Sequence, residues 1–332
     1  MIHAVIGAQS AEAYRLAARA GYTHAIVIVD PFDSAVEEQL EAAGGAGLKI
    51  VLRPSQWVRG PDVCVGQRVI PEAWLLRNAL GEAPPPPYEI NTMPSPWIDE
   101  PWNVMVRGLR QAQQFCKGRY AVDGVYVGCC GELGFPRQFT ESPLRSGRTH
   151  RDAAWLYCHD PAARLAYRQE FGQDAPATLN VDVRYHGARC LDWMYRSLVD
   201  RLERVATAVH LRPWLPIIAT GLRYIGDEAC TKMLIEYHRR TRWHASAVWL
   251  VCALYGSHDD PAPADRVADM VLRKDWLGLP TVLVGSEGVK GALAGCGRRA
   301  LRDRFSGLLT NPRGISEAQV GPLQELLVGF DQ

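Results

Sequence analysis

A chain of 332 residues with 47% hydrophobic content can bury a large core, which excludes a disordered chain. Its 37 basic and 36 acidic residues leave a formal net charge of +1, too little to draw it to nucleic acid or an anionic membrane. Nine cysteines without a CxxC pair or a Cys/His spacing suited to zinc read as reduced core thiols, and no apolar run reaches membrane-span length. With the first strand starting at Ile2 and no leader ahead of it, the expectation is a soluble, cytoplasmic protein.

In chain order, "IHAVIGA" reads as a buried strand, and "SAEAYRLAARAG" as a helix stopped by glycine. "THAIVIVD" is a second strand. "DSAVEEQLEAAGGAG" is a helix with Asp33 or Ser34 as its N-cap, and "LKIVLRP" is a third strand. A long connection, 54–100, contains "EAPPPPYEINTMPSPW", which is too rigid and polar for a core. The helix "DEPWNVMVRGLRQAQQFCKG" leads to strand four, "VDGVYVG". A second long connection, 133–190, carries its own helix around "DPAARLAYRQEFG". Strands five to eight follow as "PWLPIIATG", "ASAVWLVCALYG", "LPTVLVGSEG" and "FSGLLTN", and "ISEAQVGPLQELLVGF" is a closing helix. Eight strand–helix units in series predict an α/β fold, a (β/α)8 TIM barrel, as a single domain over 1–332. A doubly wound open sheet is the alternative.

Barrel active sites are built just past the C-terminal ends of the strands. Those positions hold Asp30 after strand two, Arg53 and Trp57 after strand three, and Glu132 after strand four. Thr220 and Arg223 follow strand five, Tyr255, His258 and Asp259 strand six, Glu287 strand seven, and Asn311 and Arg313 strand eight. Two carboxyl groups facing one cleft suit glycoside hydrolysis: a protonated one serves the leaving oxygen, and an ionised one attacks the anomeric carbon or activates water. Like charges converging on a desolvated site push the two pKa values apart, which keeps one acid protonated near neutral pH.

"GCCGELGFP", around Glu132, resembles the strand-four motif of TIM-barrel glycoside hydrolases. The β-amylase motif, Gly-Pro-x-Gly-Glu-Leu-x-Tyr-Pro, is the nearer likeness; the clan A enzymes, with Asn-Glu at that place, are a looser one. "NTMPSPWIDEPW" is similar to the "SPxxDPxW" segment common in such enzymes. The resemblance implies Glu132 as proton donor and Glu287 as nucleophile or base. The chain departs from clan A in carrying Cys130 and Gly131 before the glutamate and no Trp after strand eight.

Asp30, Arg53, Trp57, Trp97, Arg223, Tyr255, His258 and Asn311 are the expected contacts to a carbohydrate or glycoside substrate, with Trp57 and Trp97 as stacking platforms. Trp193 and Trp249 read as packing residues. Vicinal Cys129 and Cys130 alternate across the barrel wall, and His258 beside Asp259 and Asp260 suits hydroxyl recognition better than a metal. No metal and no cofactor is expected. The oligomeric state is not legible in the sequence. Two rival readings use the same barrel. One is a phosphate-binding isomerase or aldolase built on the glycine-rich stretch 285–295 with Lys290. The other is a barrel that binds carbohydrate without cleaving it.

Overall fold

The computed structural model describes residues 2–6, 10–59, 67–84, 93–127, 154–179, 184–218, 240, 246–252, 281–284, 306–310 and 315–331. Twelve strands are present among them. They are β1 (Ile2–Ile6), β2 (His24–Val29), β3 (Lys49–Pro54), β4 (Gln56–Val58), β5 (Gln67–Val69) and β6 (Val122–Tyr126). The remainder are β7 (Ala154–Trp155), β8 (Thr178–Leu179), β9 (Pro213–Ile218), β10 (Val248–Cys252), β11 (Thr281–Val284) and β12 (Gly307–Thr310). The α-helices among the described residues are α1 (Ala11–Ala20), α2 (Ala35–Gly45), α3 (Asp99–Cys116), α4 (Pro161–Phe171), α5 (Arg184–Val209) and α6 (Glu317–Asp331).

The eight runs read as buried strands all form parallel strands of one curled sheet, ordered β1-β12-β11-β10-β9-β6-β3-β2. β1 pairs with β2 on one side and with β12 on the other, so the ring of pairings closes. Parallel strands covered on both faces read as continuous apolar runs, which is why these were legible. Ala4, Ile26, Val51, Trp214, Leu250 and Leu309 pack inside the ring. A larger apolar layer lies between the sheet and the helices, with Val5, Leu16, Val27, Leu40, Leu109 and Leu198 in it.

Local chemistry starts and stops the helices where expected. The Ser10 hydroxyl accepts from the Ala13 N–H at 3.1 Å to open α1, and Gly21 closes it at φ 100°. At α2, Asp33 is the residue that caps, its carboxylate accepting from the Ala35 N–H at 2.9 Å; Ser34 makes no such bond. Pro161 sits in the first turn of α4 behind the Asp160 cap, and Gly172 closes that helix.

The connection after β3 differs from the sequence expectation. It holds β4 and β5, a parallel two-stranded pair, and at its far end Met93 and Ser95 are fully buried. The 82–97 stretch therefore contributes to the core at its end, because Ser95 finds partners for its polar atoms. Its hydroxyl donates to Asp160 at 3.1 Å and its carbonyl accepts from the Trp102 indole N–H at 3.0 Å. The connection after β6 carries the expected α4, flanked by the short antiparallel pair β7–β8.

The register of β3 on β6 slips once. Ile50 faces Val122, whereas Val51 faces Gly124, so Asp123 is an extra residue in β6. The bulge brings Asp123 to the N-terminal pole of the barrel, where its carboxylate lies 3.6 Å from His24 Nε2 and 3.2 Å from an Arg212 nitrogen.

Candidate active site

Side chains pointing into the ring alternate along each strand, and the last inward position of a strand faces the C-terminal mouth. On β2 the inward series runs through Ile26 to Asp30, one residue past the strand end; on β3 it runs through Val51 to Arg53. On β6 it ends at Tyr126. The paired strands therefore bring Asp30, Arg53 and Tyr126 to the same end of the barrel.

These groups are engaged with one another and with the connection after β3. One Asp30 carboxylate oxygen accepts from the Phe32 N–H at 2.9 Å, and the other takes the Arg68 guanidinium in an ion pair. Asp30 is 8% exposed, so this pair is shielded from water on the carboxylate side and stronger than a surface pair. The Arg68 guanidinium also covers one face of the Phe32 ring, 4.3 Å from its centre. The Arg53 guanidinium lies over the Tyr126 ring at 4.8 Å.

Trp57 is 4% exposed and packs edge-on against Trp74, with ring centres 5.2 Å apart. Trp97 stacks on Trp193 at 4.5 Å and 12° between planes, and Trp193 belongs to the core as expected. Glu132, Arg223, Tyr255, His258, Glu287 and Asn311 lie outside the described residues. So do Cys129, Cys130, Thr220, Asp259, Lys290 and Arg313.

Sequence reasoning did not single out Phe32, Arg68 or Tyr126. Phe32 is 59% exposed beside Asp30, an aromatic ring with one face taken by a cation. Its signal was available: a large apolar residue three positions past a strand end, in a polar connection. Arg68 gave none, because its place depends on β5 pairing with β4. Of these groups Phe32 is exposed, whereas Asp30, Arg53 and Tyr126 are buried and engaged with their neighbours.

Away from the mouth, Asp160 is 1% exposed and accepts from the Ala163 N–H at 3.0 Å and from the Ser95 hydroxyl. Burial raises its pKa above the ordinary carboxylate value. It holds the connection after β3 onto α4 and plays no visible part at the mouth. Among the described residues, no cluster of three or more His, Cys, Asp or Glu could hold a metal ion, and no helix is long and apolar enough to cross a membrane.

No protein-family model matches the chain, and no curated protein does. Solved structures do resemble it in fold. The glycoside hydrolase domain of PgaB (BpsB) from Bordetella bronchiseptica is 10% identical, with 98% of each chain covered and a TM-score of 0.46. The endoglucanase Cel5A of Pseudomonas stutzeri is 8% identical, covering 96% of this chain and 85% of that one, with a TM-score of 0.40. Morphinone reductase is 16% identical, covering 98% and 83%, with a TM-score of 0.42. Likenesses this distant span hydrolases and a reductase and carry no argument about activity.

Proposed function

We propose that the chain is a glycoside hydrolase built as one complete (β/α)8 barrel domain, with Glu132 as proton donor and Glu287 as nucleophile or base. The observation that carries the reading is the ring order of the parallel strands. Glu132 follows the end of β6 at Tyr126 by six positions, and Glu287 follows the end of β11 at Val284 by three. β6 and β11 are separated in the ring by β9 and β10, so both glutamates are carried on segments leaving one pole of one barrel, on well-separated strands. That order supports a reading in which two carboxylates from different strands face one cleft across a scissile bond.

Asp30, Arg53, Phe32 and Arg68 stand at the same pole and supply the sugar contacts in this reading, with the buried Tyr126 ring lying under the Arg53 guanidinium. Trp57, Trp97, Arg223, Tyr255, His258 and Asn311 remain proposed contacts to the substrate. The substrate is a carbohydrate or glycoside, and no cofactor takes part in the chemistry.

The test is hydrolysis of a panel of 4-nitrophenyl glycosides and of α- and β-linked oligosaccharides by the purified chain. Turnover by the wild type, with losses on the order of a thousandfold in Glu132→Gln and in Glu287→Gln, is expected. Turnover that survives both substitutions overturns the assignment. Binding without turnover across the panel favours a non-catalytic carbohydrate-binding barrel.

A further inference from the structure

The Sγ atoms of Cys158 and Cys190 lie 3.6 Å apart, both thiols free and both fully buried. Cys158 sits two residues before the Asp160 cap of α4, and Cys190 is on α5. The two are 32 positions apart in the chain and touch only because the connection after β6 folds back onto α5. Closing a sulfur–sulfur bond of about 2 Å requires the two sulfurs to move from contact to bonding distance.

We propose that Cys158 and Cys190 are a disulfide-forming pair, a covalent modification site closed by a disulfide oxidant such as oxidised glutathione while the chain folds. The thiolate of one cysteine attacks a glutathione sulfur and expels one glutathione thiolate, giving a mixed disulfide. The second cysteine thiolate then attacks the protein sulfur of that mixed disulfide and expels the second glutathione. The two protein thiols lose two electrons and two protons, and oxidised glutathione becomes two reduced glutathiones.

Timing follows from burial. In the folded dithiol neither sulfur is open to an oxidant the size of glutathione. Contact with Cys190 and burial also disfavour the Cys158 thiolate. In the unfolding chain both sulfurs are open, and folding itself brings them together. Once formed, the bond fixes the α4 block to α5 and constrains the unfolded chain. Neither cysteine is among the residues assigned to catalysis or substrate binding, so the inference does not rest on the hydrolase reading.

The experiment starts from the reduced, unfolded full-length chain, refolded in a mixture of reduced and oxidised glutathione, then alkylated and mapped by tryptic mass spectrometry. A single Cys158–Cys190 cross-link is expected, together with a melting midpoint about 5 °C above that of the chain refolded without oxidant. The already folded dithiol, held in the same mixture for the same time, is expected to give less than a tenth of that cross-link. Alkylation of both cysteines after oxidative refolding overturns the proposal, as does pairing of either with another cysteine. Equally fast closure in the folded protein overturns it too. The mapping uses the natural chain, so no substituted protein has to fold.

Discussion

The Arg53 guanidinium lies 4.8 Å from the centre of the Tyr126 ring, with Arg53 5% and Tyr126 1% exposed. The two come from adjacent parallel strands, one position beyond the Leu52–Val125 pair. A cation on a ring face, removed from water, contributes about 2 kcal/mol. Arg53→Met keeps the aliphatic stem over the ring and removes the charge. Its midpoint in chemical denaturation should fall by an amount worth about 1–2 kcal/mol. An unchanged midpoint would show that cation and ring are energetically independent.

Asp123 gives acid sensitivity to the opposite pole. Its pKa is lowered below the ordinary 3.8, first by His24 and then by the Arg212 charge. A depressed folded-state pKa contributes stability that is present above pH 3.8 and is lost as pH falls through the folded value. Asp123→Asn should therefore cost stability at pH 5–7, and the gap to wild type should close below about pH 4. Denaturant titrations at three or four pH values read this directly. A gap independent of pH would remove the charge from the explanation.

Asp160 should show the opposite slope. Burial raises its pKa, so ionisation costs stability as pH rises through 3.8 and the higher folded value. The stability of the wild type relative to Asp160→Asn should accordingly decline as pH rises from about 3.5 to 6. Asp160→Ala removes the α4 cap and leaves the Ser95 hydroxyl buried without its acceptor, a loss of about 2–3 kcal/mol at neutral pH. Equal stability of the alanine variant and the wild type would mean that α4 does not depend on this cap.

Gly307 lies at the β1–β12 seam, opposite Ile2. A Cβ built there would fall on the Ile2 carbonyl, which is backbone and cannot step aside. Gly307→Ala should therefore cost more than about 3 kcal/mol, whereas Gly45→Ala, in α2 with open space around it, should be neutral or stabilise by up to about 1 kcal/mol. Thermal melts of the two variants make the comparison, and similar midpoints would deny the seam its tight approach.

The proposed proton donor has its own signature. Glu132→Gln should lower kcat far more on substrates with poor leaving groups than on activated aryl glycosides, whose phenolate needs no proton. Equal losses on both classes would count against proton donation by Glu132.

The order of elements was written in the chain itself. Buried parallel strands such as β2 and β3 carry uninterrupted apolar runs, "AIVIV" and "IVL", and capping residues such as Ser10 and Asp160 act within four positions of themselves, so local sequence suffices. "GCCGELGFP" singles out Glu132 by its place after a strand and by its likeness to a glycosidase motif, and Glu132 lies outside the described residues. What the sequence could not specify were the pairings that cross the chain. Asp30 finds Arg68 38 positions away, Ser95 finds Asp160 65 away, and Cys158 finds Cys190 32 away. Each depends on where a connection folds back, and that is decided by burying apolar surface over the whole barrel. The Asp123 bulge is of the same kind: one residue of slip between β3 and β6 changes which side chain meets His24, and only the closed register determines it.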